Sequence, residues 1–291
     1  MSEGSPPEPA PRPRASKGTL AARITCSPIL QKFYQSIRRV PFWGQLGHRL
    51  VRRLLPPGKR VDIAVRGGLG AGLHLSIDPR YEAPYAAGLH ENALLECLAL
   101  HLHRGDVFYD VGAHIGFVAL VAARLVGPEG RVFAFEPDPE NSSRVIHHAR
   151  INALPQIEVV CSAVWSECTA MPFHRAAVAS SRNTGAVIDS PEDFGAAEVI
   201  SVPALTLDRF VHEHRPPRVI KIDVEGGEGE VLKGAEAVLR GAKPVLICEI
   251  HGDRALAAVT EWVTQREYSW DWLSQEERFP RHLVAQVRKM A

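Results

Sequence analysis

The sequence predicts an α/β fold, a doubly wound and mostly parallel sheet preceded by a basic helical extension and a β-hairpin. Three observations point to it. Short apolar runs of strand length alternate with stretches of helical periodicity from residue 92 onward. The turn after the first of those strands, Asp110-Val111-Gly112-Ala113-His114-Ile115-Gly116, carries glycines spaced to open a helix. Two successive strands end in an acid, Asp110 and Glu136, at the edge where open α/β sheets place their ligands.

Residues 1–17 are Pro-rich and polar, a disordered tail. Residues 18–58 read as the basic helical extension. Ser27-Pro28 starts one helix, with Ile29, Leu30, Phe33, Tyr34 and Ile37 at helical spacing. Phe42, Trp43, Leu46, Leu50 and Leu54 stripe a second, which Pro56-Pro57-Gly58 ends. Residues 59–103 hold a hairpin, 61–66 against 72–77, and a helix over 92–103 that leads into the core. The domain over 104–291 then runs strand 107–110, helix 115–126, strand 131–136, helix 140–151 and strand 157–161. An irregular stretch reaches about residue 203. A short helix at 207–214, strand 218–223, helix 230–240, strand 245–250 and helix 254–265 follow, with two last strands at 269–274 and 283–287.

Composition is ordinary for a globular protein of 291 residues, 45% hydrophobic and 23% charged. The net charge of +1 conceals an asymmetry. Residues 1–60 carry twelve basic and two acidic residues, and the remainder carries twenty-two basic against thirty-one acidic. The basic part therefore has a job separate from the acidic part. It is expected either to pack as a lid or to touch an anionic membrane surface. No apolar run approaches the length of a transmembrane helix, and the start lacks a secretory signal. Five scattered cysteines without paired spacing read as reduced thiols. A cytoplasmic protein is the expectation, peripheral at a membrane if the basic segment meets one.

The 110–116 turn selects a cofactor. A dinucleotide fold would place Gly-x-Gly-x-x-Gly here, with pyrophosphate on the helix N-terminus. This chain has Asp110 in place of the first glycine, where a carboxylate would repel pyrophosphate but favour the ammonium of a methionine moiety. Gly112 is expected to let a ligand approach the backbone, and Gly116 to let the helix pack close to the sheet. Glu136, 24 residues after Gly112, is positioned to accept from both ribose hydroxyls. S-adenosylmethionine is thus favoured over a nicotinamide cofactor.

The segments DVGAHIG (110–116), AFEPDPEN (134–141), LTLD (205–208), IKIDVEGGE (220–228), VLKGA (231–235) and ICEI (247–250) occur in this order, and the chain resembles an FkbM-type methyltransferase of the class I S-adenosylmethionine-dependent group. The resemblance implies a seven-stranded Rossmann-like sheet with an antiparallel hairpin at one edge. It also implies methyl transfer, usually to a hydroxyl of a sugar, glycolipid or polyketide-type natural product. Two positions depart from the family pattern. His114 stands where asparagine is common, and Gly227 stands where alanine is common, a swap expected to be harmless.

The cofactor set expected is Asp110, Gly112, Ala113, His114, Gly116, Glu136, Pro137, Ser162, Ala163 and Asp223, with Ser162 and Ala163 beside the adenine. Methylating a hydroxyl needs an aligned oxygen and gains about 10²–10⁴-fold from a positioned base. Asp223 is the first candidate, then His251, then Glu249. Glu228 reads as an acid complementing a helix dipole. Asp223, Glu225 and Glu249 offer oxygen ligands to a divalent metal, although no ligand spacing requires one. The polar loop over 180–185 is a candidate acceptor contact. Two other readings remain open, a nicotinamide-dependent oxidoreductase of similar architecture and a non-catalytic cofactor-binding module. No aromatic-basic interleaving in the catalytic part points to nucleic acid.

Overall fold

A computed structural model of the chain describes residues 59–175, 185–186, 198–275 and 278–287. The N-terminal tail, the basic extension and the polar loop over 180–184 lie outside these residues.

The central sheet has seven strands in the order β12-β13-β11-β10-β3-β4-β5. Strands β3 (Val107–Val111), β4 (Arg131–Phe135), β5 (Ile157–Val160), β10 (Val219–Ile222) and β11 (Val245–Ile250) are parallel. Strands β12 (Tyr268–Trp272) and β13 (Arg281–Val287) pair antiparallel with each other, and β13 also pairs antiparallel with β11. The chain leaves β3 toward β4 and β5 and later returns to β10 on the other side of β3. Strand order therefore reverses between β3 and β10, which opens a crevice at their carboxyl ends. All five residues of β3 are buried, as expected of a strand covered on both faces.

Helices α1 (Ala83–Ala87), α2 (Asn92–His101), α3 (Phe117–Val126) and α4 (Pro139–Ile151) precede β5. Helix α4 starts on Asp138, whose carboxylate accepts from the Glu140 and Asn141 backbone N–H groups, with Pro139 at the first helical position. Helix α3 begins two residues later than periodicity predicts, because Gly116 (φ 84°) is its N-cap.

The helix expected over 230–240 is two helices, α6 (Glu228–Lys233) and α7 (Glu236–Gly241). Gly234 separates them, and a Cβ there would lie 2.0 Å from the Trp165 carbonyl oxygen. Asp208, in the short helix α5 (Leu207–Phe210), accepts from the Ala237 and Val238 N–H groups and so satisfies the start of α7. Helix α8 (Asp253–Gln265) covers the sheet near β11 and β12.

The irregular stretch is not irregular. Strands β6 (Ala163–Val164), β7 (Ala170–Arg175), β8 (Gly185–Ala186) and β9 (Glu198–Leu205) form a second sheet in the order β6-β9-β7-β8. Met171, Phe173, Val202 and Ala204 alternate inward from β7 and β9 to give it a small core.

The hairpin of β1 (Val61–Ala64) and β2 (His74–Ile77) pairs in the register Val61↔Ile77. Leu73, Leu75, Ile77, Leu94 and Leu98 share one core with Phe108, Ile115 and Leu120. Polar contacts also tie this segment down. Arg144 of α4 forks onto both Glu82 oxygens at 2.8 and 2.6 Å, and the two side chains are only 5% exposed.

Candidate active site

Four residues stand one position beyond the ends of four parallel strands: Gly112 after β3, Glu136 after β4, Asp223 after β10 and His251 after β11. The first three line a cleft of about 620 Å³, counted out to its open mouth. His114, Pro137, Ser162, Ala163 and Glu225 line it too, and Phe135, Trp165 and Phe173 give it apolar walls. Asp110, Ala113, Gly116, Glu249 and His251 are not on its surface. Ala113 and Gly116 form the turn behind it, and Glu249 and His251 stand beside Asp223.

Asp110 is fully buried beneath the turn. Its register partner in β10 is Lys221. The Lys221 ammonium lies 3.4 Å from Asp110 Oδ1 and 3.2 Å from Asp223 Oδ2, and donates to the Gly112 carbonyl at 2.7 Å. One buried cation thus fastens the end of β10 to the cofactor turn. Asp223, Asp110 and Glu91 hold its pKa well above the ordinary lysine value against the cost of burial. The sequence marks it as a lysine inside the otherwise apolar strand Val-Ile-Lys-Ile, which period-two alternation places on one face with Asp223. Neither Asp110 oxygen has a hydrogen-bond partner, and burial pushes its carboxyl up to about 6 against the pull of Lys221. A buried carboxylate beneath the turn, compensated only by Lys221, gives that turn a negative underside that favours a cationic ligand group.

Gly112 accommodates more than expected. A Cβ at this position (φ 78°) would stand 1.8 Å from the Asp223 carbonyl oxygen, so the glycine also admits the chain's own backbone. At Gly116 a Cβ would stand 2.8 Å from Val145 Cγ1, so the glycine lets the start of α3 pack close against α4 rather than against the sheet. Gly227 is not an indifferent replacement of alanine. A Cβ there would lie 2.5 Å from Trp165 Cζ3, so the glycine makes room for a wall of the cleft.

Glu136 accepts from the His114 N–H at 2.7 Å and the Asp138 N–H at 2.9 Å. Burial raises its pKa to about 8 despite these two donors. Each oxygen retains a second lone pair for a ligand hydroxyl. His114 adopts a left-handed conformation (φ 51°), which asparagine also tolerates. Its ring reaches toward Tyr85 of α1, with Nδ1 3.3 Å from the hydroxyl. Burial lowers its pKa to about 4, so it is a neutral wall.

Around Asp223 the charges are dense. His251 Nε2 lies 3.6 Å from Asp223 Oδ1, 3.4 Å from Glu225 Oε2 and 4.0 Å from Glu249 Oε1. Its Nδ1 is 3.0 Å from Glu228 Oε1. Burial works against a charged imidazole, but the Glu228 hydrogen bond and the Glu225 and Asp223 carboxylates push its pKa up to about 9. Burial, with Asp223 and Glu91 nearby, raises Glu249 to about 8. Asp223, Glu249 and His251 each offer a donor atom within 4.8 Å of the others. That set differs from the expected Asp223, Glu225 and Glu249 in using the imidazole. It is close enough to share a cation, but Lys221 and His251 already compensate these carboxylates. His282 of β13, 3.6 Å from Glu249, and Glu91, beside α2, complete the surroundings. No local sequence signal marks either, since strand order alone brings them here.

A mostly parallel seven-stranded sheet with an antiparallel pair at one edge, opening an acid-lined cleft where its strand order reverses, defines the class I methyltransferase architecture. The family model described as the Methyltransferase FkbM domain matches residues 110–269, and the chain belongs to that family. It is 28% identical over 199 residues to the hexuronic acid methyltransferase AglP of Haloferax volcanii, covering 65% of this chain and 75% of that protein. It is 45% identical over 56 residues to a protein-L-isoaspartate O-methyltransferase of Ignicoccus hospitalis, covering 19% of this chain and 26% of that one. Among solved structures it is similar to the methyltransferase FkbM from Methylobacillus flagellatus KT, with a TM-score of 0.47 and 17% identity. That alignment covers 70% of this chain and 65% of the other, so this chain spans just under two thirds of its length. Among the described residues no helix is long and apolar enough to cross a membrane.

Proposed function

We propose that the protein is an S-adenosylmethionine-dependent O-methyltransferase acting on a hydroxyl of a sugar, glycolipid or related natural product. The observation that carries this reading is the placement of Gly112, Glu136 and Asp223 around one cleft, with His251 directly behind Asp223. The relationship to a hexuronic acid methyltransferase supports a sugar as the acceptor class.

When bound, the cofactor supplies a methyl group on a positively charged sulfur. Glu136 would hold its ribose hydroxyls, Ser162 and Ala163 would flank the adenine, and Trp165 and Phe173 would exclude water from that end. Asp110 sets the negative potential beneath the turn, and Lys221 keeps Gly112 and Asp223 in register. Asp223 orients the acceptor hydroxyl, and His251 Nε2 takes its proton. A divalent metal is not required by this scheme, because Lys221 and the imidazole carry the compensating charge.

The basic segment over 18–58 is proposed to hold the enzyme at an anionic membrane surface, where a lipid-linked acceptor would be met. Comparing liposome co-sedimentation of the full chain and of a chain lacking residues 1–58 tests this, and equal sedimentation rejects it. The central test is calorimetry with S-adenosylmethionine, followed by transfer of an isotopically labelled methyl to extracts and purified sugars. Micromolar-range binding that Asp110→Asn weakens supports the reading. Absence of binding by the wild-type protein ends it.

A further inference from the structure

We infer that Glu228 is a positioning residue that sets the tautomer and direction of His251, so that Nε2 faces the acceptor as the proton-accepting atom. The inference rests on the methyl-transfer reading for its chemistry and on separate geometry for its assignment.

Glu228 is the first residue of α6, and an acid there would complement the helix dipole while remaining in water. It is instead fully buried. Its Oε1 accepts from the Gly226 N–H at 3.0 Å and meets His251 Nδ1 at 3.0 Å, while its Oε2 has no hydrogen-bond partner. Dipole compensation does not explain a carboxylate withdrawn from solvent with one oxygen unsatisfied. Holding a ring nitrogen does. A base whose other nitrogen is fixed by a buried carboxylate presents a single proton-accepting atom in a single direction.

The remaining groups facing the ring agree with that direction. Glu249 approaches from its own strand, Asp223 and Glu225 from the turn after β10, and the Lys221 ammonium from within β10. His282 faces the cluster from β13. All the carboxylates except that of Glu228 are nearest to Nε2, and all are partly exposed. Nε2 therefore looks into the open part of the cluster and Nδ1 into the protein. In the reaction the acceptor O–H proton moves to Nε2, and the acceptor oxygen bonds to the transferred methyl. The electron pair of the broken C–S bond stays on sulfur. The resulting imidazolium keeps its Nδ1 hydrogen bond to Glu228.

The test combines ¹⁵N-imidazole NMR with a pH–rate profile for wild type, Glu228→Gln and Glu228→Asp, with far-ultraviolet circular dichroism confirming that each is folded. In the wild type Nδ1 is expected to carry the proton in the neutral ring. In Glu228→Gln the His251 titration midpoint should fall by a unit or more, and the rising limb of the rate profile should move with it. kcat should fall about 10- to 100-fold while KM stays within a factor of two, and Glu228→Asp should recover part of the loss. An unchanged tautomer and midpoint in folded Glu228→Gln overturns the inference, as does a loss confined to KM. The NMR arm needs no acceptor, so it stands or falls even if no methyl transfer is found, and the two failures are distinguishable.

Discussion

The backbone of Gly112 lies against the backbone of Asp223, so closely that a Cβ on residue 112 would stand 1.8 Å from the Asp223 carbonyl oxygen. The turn after β3 and the turn after β10 are thus one contact, and Lys221 clamps it from below through the Gly112 carbonyl. This coupling explains why a glycine is needed where φ is positive and the neighbour is an immovable carbonyl.

Gly112→Ala should therefore cost about 2–5 kcal/mol of stability, from left-handed strain plus overpacking. It should also abolish cofactor binding. Gly226→Ala is the contrast, since that glycine has a positive φ of 107° but nothing within 4 Å. Urea denaturation of both variants should show a markedly larger loss at residue 112.

Gly227→Ala tests the departure from the family's alanine. Its methyl group would meet the Trp165 ring, which must then shift within the cleft. The expected result is S-adenosylmethionine binding weakened about 10-fold with stability reduced by about 1–3 kcal/mol. Unchanged affinity by calorimetry would show that the ring relaxes without cost.

Cofactor binding should be linked to protons. Glu136 sits at about 8 without ligand because of burial. Ribose hydroxyl donors favour the carboxylate and pull its pKa down. Binding at pH 7 should then release a proton and tighten as pH rises toward 8. Calorimetry in buffers of different ionisation enthalpy measures the release, and Glu136→Gln should eliminate it and weaken binding about 10-fold or more.

The stability of the unliganded protein should fall between pH 6.5 and 9. His251 binds its proton more tightly folded (about 9) than unfolded (6.5), so its contribution is complete below pH 6.5 and is lost as pH rises through 9. Glu249 and Glu136, both raised to about 8, act with the same sign over this range. Below pH 6.5 the buried neutral His114 and His148, each lowered to about 4, oppose the trend. The melting temperature should drop by several degrees from pH 6.5 to 9, and His251→Gln should flatten the slope. By the same shift, methyl transfer should accelerate with pH up to about 9, and His251→Ala should slow it about 10²–10⁴-fold.

Arg144→Ala should destabilise the protein by about 3–5 kcal/mol, because it strands the buried Glu82 carboxylate. A single cooperative transition in both proteins would show that the segment around Glu82 unfolds with the sheet rather than before it.

Much of this protein was determined by local sequence. Apolar strands and periodic helices established the sheet, and Asp110, Gly112, Glu136 and Asp223 stand in segments that name a nucleoside cofactor site before any fold is known. These signals are legible because strand, turn and first helical turn are short-range matters of backbone preference and charge. The second sheet escaped notice, since β7 and β9 meet across a long, sequence-irregular connection. The tertiary structure alone decided the charge cluster around His251. His251, Glu228, Glu249 and His282 come from two strands and a helix, and each is ambiguous in isolation. Only strand order sets their separations. Against burial, the surrounding carboxylates move the imidazole toward 9, while burial moves Glu249 toward 8. Desolvation and Coulomb terms depend on distance through space, which the order of residues along a chain does not encode locally.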